Sequence, residues 1–226
     1  HQPENFYSLS SDNVLSIFED HSKNLWIGTF QGGINKTELI HYDFDFKQPA
    51  RNVISGTGNE VRSIISDKKG RLWIGTKDGY IYCYLESGDI AYTIPDDLNM
   101  KEYVRSNVYA MLEDNEGNLW IGTKGSGLTR ISGILKTENL KKSRFDISQY
   151  MNDPADHTSL SNDAIFSLYQ DHLGQVWVGT YNGGLNLIED PSERVKFRHF
   201  IHNAEDSCSI SGQRIRFITQ DRENNL

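Results

Sequence analysis

The sequence has 226 residues and a formal charge of −8. That length can bury a sizeable core, and the acidity argues against a counterion-displacing grip on nucleic acid and against electrostatic docking on an anionic bilayer. No apolar run approaches the ~18 residues that span a membrane, and the chain opens His1-Gln2-Pro3 without initiator Met or signal peptide, so it reads as a mature or excised segment.

A ten-residue phrase recurs along the chain. It begins at Asp20 and ends Leu-Trp26-Ile-Gly-Thr29, and it returns from Asp67 with Trp73, from Asp114 with Trp120 and from Asp171 with Trp177. A fifth copy starts at Asp221 and stops at Leu226, one residue short of its Trp. The aspartates are 47, 47, 57 and 50 residues apart. A period of roughly 40–50 residues holding several short strands predicts β-propeller blades, each an antiparallel sheet of four strands. In chain order the blades are expected at about 11–50, 58–98, 105–150 and 162–203, with the start of a fifth at 212–226.

Within a blade the first strand is the apolar run before the aspartate: Val14–Asp20, Val61–Asp67, Val108–Asp114, Ile165–Asp171 and Ile215–Asp221. Its third position is small in four copies (Ser16, Ser63, Ala110, Ser167), as expected where strands crowd an axis, and Phe217 breaks the pattern. A tight Asp-x-x-Gly turn follows, with Lys23 and Asn224 standing at the glycine in two copies. The second strand ends in Gly-Thr, and its Trp is expected to pack between blades. A polar glycine turn leads to the third strand, clearest at Tyr80–Leu85, and the fourth is expected at His41–Phe46 and Phe197–His202. The linkers His1–Ser10, Asn152–Ser161 and Asn203–Ser211 are related to one another. Four blades and one inner strand predict an incomplete arc of a seven- or eight-bladed propeller.

Asp20, Asp67, Asp114 and Asp171 recur once per blade at one turn position, and Trp26, Trp73, Trp120 and Trp177 recur likewise. That recurrence reads as structural and not as a metal or acid–base centre. No zinc spacing, calcium loop, nucleophile elbow or phosphate cradle is present, so neither a metal nor a cofactor is expected. Cys83 and Cys208 form no CxxC, and Cys83 reads as a buried free thiol. Binding is expected where otherwise uniform blades vary on one face. Those positions are the turn after the second strand (Phe30, Gln31, Lys77, Asp78, Lys124, Tyr181, Asn182) and the second residue of the inner strand (Leu15, Arg62, Tyr109, Phe166, Arg216). Aromatic planes with Arg and Lys donors suit a sugar or an acidic oligosaccharide.

The phrase Asp-x-x-Gly-x-Leu-Trp-Ile-Gly-Thr, with an apolar strand before it and a Gly-Gly turn after it, resembles the two-component regulator propeller repeat. Tyr80 departs from it at the second turn glycine. The resemblance implies a periplasmic sensor segment of a membrane-anchored hybrid two-component receptor, not itself an enzyme, with an oligosaccharide ligand and with a second copy or further blades as partners. Two other readings stand beside it: a structural interaction or dimerisation platform, and a propeller lyase or hydrolase.

Overall fold

The computed structural model describes residues 1–5, 8–38, 41–47, 60–85, 90–94, 106–137, 145–189 and 195–226. The expected blade limits at 50, 58, 98 and 105 lie outside the described residues. The described chain is all-β, apart from one short 3-10 turn at Ile134–Lys136. No described helix is long and apolar enough to cross a membrane.

Among the described residues, sixteen strands form four separate four-stranded antiparallel sheets. The first holds β1 (Val14–Glu19), β2 (Asn24–Thr29), β3 (Gly33–Glu38) and β4 (His41–Lys47). The second holds β5 (Val61–Ser66), β6 (Leu72–Thr76), β7 (Ile81–Tyr84) and β8 (Ile90–Ile94). β9 (Val108–Glu113), β10 (Leu119–Thr123), β11 (Leu128–Ile131) and β12 (Ile147–Tyr150) make the third. The fourth is β13 (Ile165–Gln170), β14 (Val176–Thr180), β15 (Leu185–Glu189) and β16 (Lys196–Phe200). In each sheet, neighbours in sequence are neighbours in space. The sheets group into two compact units, His1–Val108 and Tyr109–Leu226.

The repeated phrase is a set of linked contacts. Asp67 accepts backbone N–H bonds from Lys69 (2.9 Å) and Arg71 (3.0 Å) on one carboxylate oxygen. Its other oxygen accepts the Trp73 indole N–H at 2.9 Å. Asp20, Asp114 and Asp171 hold Trp26, Trp120 and Trp177 in the same way, at 2.8 Å each. One side chain thus closes the turn and orients the indole, which leaves the buried N–H satisfied. Trp26 packs with Val61, Leu72, Ile74 and Tyr82 of the second sheet, inside the first unit. Trp120 packs with Ile165, Val176, Val178 and Phe197 of the fourth sheet, inside the second. The terminal threonine bonds the turn that follows: the Thr29, Thr76, Thr123 and Thr180 hydroxyls donate to the carbonyls of Gly33, Tyr80, Gly127 and Gly184.

The glycine of Trp-Ile-Gly-Thr is set by close approach. A Cβ on Gly75 would lie 2.5 Å from Val108 Cγ1, and one on Gly122 would lie 2.5 Å from Ile165 Cγ2. The residue that opens the next inner strand therefore seats on bare backbone, and Val61, Val108 and Ile165 are fully buried. The small third residue of the inner strand faces the same glycine. Ser63 pairs with Gly75 and Ser167 with Gly179, and the Ser63 hydroxyl donates to the Val108 carbonyl at 3.2 Å. Its size is thus dictated by the neighbouring strand and the next copy.

Three turns show how departures are absorbed. Lys23 and Asn224 take the left-handed conformation themselves, with φ of 66° and 68°. At Tyr80 the left-handed residue moves one place earlier, to Gly79 with φ 88°, so the tyrosine carries no positive φ.

The fifth copy differs from expectation. Residues 215–221 form no strand. In other copies this segment pairs with the Trp strand, of which the sequence reaches only Leu226. Ile215 still docks on Gly179 and donates its N–H to the Thr180 carbonyl at 2.9 Å. The Asp221 turn still closes, through Asn224 N–H to the Asp221 carbonyl and Asp221 N–H to the Asn225 carbonyl. Phe217 is 79% exposed.

Candidate functional site

The variable second residue of the inner strand sits on a β-bulge. The ladder slips between Val14 and Ser16, between Val61 and Ser63, and between Ile165 and Ser167. A bulge breaks the alternation of side chains and re-aims the extra residue, which here is Leu15, Arg62 or Phe166. Two other variable positions lie beside it. The residue before the inner strand (Asn13, Glu60, Ala164) offers its carbonyl to the N–H of the residue after the threonine (Phe30, Lys77, Tyr181), at 2.8–2.9 Å. Strand pairing therefore brings three variable positions together on each of these blades.

In the first unit these positions make an ion-paired group. Glu60 is almost fully buried, and its carboxylate accepts from Arg62 at 2.9 Å and from Lys77 at 2.8 Å. Arg62 is 20% exposed and Lys77 34%. Two of the expected ligand-binding cations are thus engaged by a carboxylate of their own blade. Phe30 is half-buried on the first blade.

In the second unit the same positions assemble rings and guanidinium groups. Tyr109 meets Phe166 edge-on, with centroids 4.7 Å apart. Phe166 leans on Tyr181 at 5.4 Å. The Arg214 guanidinium lies over the Tyr181 ring at 4.1 Å, and that of Arg216 lies over Phe166 at 5.4 Å. Tyr181, Arg214 and Arg216 are exposed. Lys124 and Asn182 are exposed turn residues outside this group. Asn182 instead borders a cleft of about 290 Å³ against the 152–161 linker.

Of the expected site residues, the structure joins Tyr109, Tyr181 and Arg216 to Phe166, and joins Arg62 to Lys77. Arg62 belongs to the first unit and Tyr109 to the second. Glu60 and Arg214 were not singled out from the sequence. Both occupy the position before the inner strand, which varies in charge across the copies as Asn13, Glu60, Asn107, Ala164 and Arg214. That variation was the available signal.

The linker histidines His1 and His202 contact the carbonyls of Leu9 and Ile210 through Nδ1, at 2.7 and 2.8 Å, and Asn152 does the same to Leu160. Burial pushes the Cys83 thiol up to about 12, which keeps it protonated. No group of three His, Cys, Asp or Glu among the described residues could hold a metal ion.

The family model of the two component regulator propeller matches four stretches, 8–31, 55–78, 103–125 and 159–182, each ending just past a Trp-strand threonine. The chain thus carries four copies of the two-component regulator propeller repeat. No protein among the curated ones matches it. Propellers of this kind recur among solved structures. The extracellular domain assigned to the hybrid two-component system BT4673 of B. thetaiotaomicron is 25% identical over 100% of this chain, with a TM-score of 0.70. The corresponding domain assigned to BT3049 of the same organism is 18% identical over 99% of the chain, with a TM-score of 0.68. Virginiamycin B lyase from Staphylococcus aureus shares the fold at 16% identity over 82% of the chain and 55% of its own, with a TM-score of 0.58. The chain spans 26% and 33% of the two Bacteroides domains, so it corresponds to a part of such proteins.

Proposed function

We propose that this chain is part of the extracytoplasmic, periplasmic sensory propeller of a membrane-anchored two-component receptor, and that the receptor responds to an oligosaccharide. The observation that supports this most is the likeness along the whole chain, at 25% identity, to the extracellular domain of a hybrid two-component system. The uniform blades agree with a binding role. Their recurring Asp and Trp residues are bound to each other, while the rim positions change in charge and ring content from blade to blade, as a recognition surface requires. The segment does no chemistry of its own in this reading; the lyase neighbour shares only the fold, and fold does not carry activity. A second copy of the chain or further blades complete the signalling unit.

Ligand-dependent melting tests the reading. Soluble chain is heated with a panel of neutral and acidic oligosaccharides, and its mass is followed against protein concentration. A saturable rise in melting temperature with one sugar class is the expected result, because a ligand that binds the native state stabilises it by mass action. No shift with any sugar, together with mass that grows with concentration, would replace the sensor reading with an interaction platform.

A further inference from the structure

The two rims differ in one respect that charge alone makes consequential. In blade 2 the bulge residue Arg62 is neutralised by Glu60, the residue before its own inner strand. In the fifth copy the bulge position is again arginine, Arg216, but the position before the strand is Arg214. The carboxylate of one rim is therefore a second cation on the other. No carboxylate among the described residues reaches either guanidinium. Each lies over a ring, Arg214 on Tyr181 and Arg216 on Phe166, and the two rings touch. A ring face attracts a guanidinium without using its N–H donors, which point outward from the edge of the plane. Two like charges are thus held on one aromatic surface, in a chain whose net charge is −8.

Like charges on neighbouring rings repel, and no carboxylate among the described residues offsets them. A planar, two-oxygen anion answers both facts, because it pairs bidentately with a guanidinium fork and relieves the repulsion. The Tyr109, Phe166 and Tyr181 rings add an apolar surface against which a sugar ring packs. We infer that Arg214, Arg216, Phe166, Tyr181 and Tyr109 form the subsite for a carboxylate or sulfate group on a saccharide, so that this rim selects acidic over neutral sugars. The inference deepens the saccharide-sensing reading and rests on it for the sugar, but not for the anion.

Calorimetric titration of the full chain and of its Arg214→Gln/Arg216→Gln variant separates the two. The probes are tetragalacturonate, a heparin tetrasaccharide, cellotetraose and inorganic sulfate. The expected result is binding of one or both acidic tetrasaccharides, weakened at least about tenfold in the variant and by added salt, since each lost charge-assisted pair accounts for about that factor. The variant's melting temperature should match the parent's, because both arginines are exposed. Equal affinity in parent and variant would overturn the inference. So would binding of cellotetraose alone, which leaves the saccharide reading standing, or binding of no probe. Sulfate binding that the variant loses, with no tetrasaccharide bound, would keep the anion subsite and remove the sugar.

Discussion

In blade 2 the residue before the inner strand, the bulge residue and the residue after the threonine are Glu60, Arg62 and Lys77. They close into an ion-paired group around a buried carboxylate. In the second unit the same three positions supply Arg214, then Phe166 and Arg216, then Tyr181, and they close into rings with guanidinium groups laid over them. The same bulge and the same carbonyl-to-amide bond present Phe166 and Tyr181, while Arg214 and Arg216 reach them from the fifth copy, where residues 215–221 form no strand. The comparison teaches that the repeat fixes where the rim side chains meet, while composition decides whether they satisfy one another or stay available. The first rim should therefore respond to substitution in stability, and the second in affinity.

The sharpest way to calibrate that contrast is the anchor both units share. Trp73 is fully buried and held by Asp67, so Trp73→Ala should cost about 3–5 kcal/mol. Trp177 is only half-buried, and Trp177→Ala should cost less in the same denaturant titration. Equal losses would mean that burial is not what the indole contributes. Glu60→Gln comes next. It removes the buried charge that Arg62 and Lys77 share, and about 2–3 kcal/mol should be lost, below the value for a fully dry pair because both cations reach water. An unchanged denaturation midpoint would dissolve the distinction between the rims. Arg214→Gln with Arg216→Gln should shift stability by less than about 1 kcal/mol, the scale of exposed cation–π contacts.

A smaller effect concerns acid. Burial alone would raise the Asp20 carboxyl, but hydrogen bonds from the Trp26 indole, the Asn24 side chain and the backbone of Asn24 and Ser22 outweigh it and hold it below its ordinary value. A carboxyl lowered by folding adds stability that is present above the unfolded value of about 4 and is lost as pH falls through the lower folded value. Thermal melts across that window should show this loss, and Asp20→Asn should flatten it. The least perturbing test is chemical. A thiol reagent at about pH 8 should modify exposed Cys208 at once and buried Cys83 only on unfolding. Fast labelling of both would mean that the second blade opens readily.

The blade count, the strand order within each blade and the turn positions are legible in the sequence, because each rests on local chemistry repeated four times. An Asp that binds the turn amides, an apolar alternation and a Gly-Thr ending leave little choice of local structure. The strand at 215–221 was over-read for a related reason: its sequence has the right pattern, but a strand exists only through its partner's hydrogen bonds. Variation at Arg62, Tyr109, Tyr181 and Arg216 pointed to the rims. It could not separate Arg62, bound to Glu60, from Arg216, stacked on Phe166, since both are arginines at one repeat position.

The sequence by itself thus determined the repeating unit: propeller blades whose Asp, Trp, Gly and Thr are committed to turn, anchor, close approach and cap. Only the tertiary structure decided which variable residues meet. Glu60 finds Arg62 and Lys77 because a bulge and a carbonyl-to-amide bond juxtapose segments 17 residues apart. Arg214 and Arg216 find Tyr181 and Phe166 because Ile215, between them in sequence, docks on Gly179 of the neighbouring blade. Those encounters depend on the packing of one blade against the next, a long-range property that no single repeat contains.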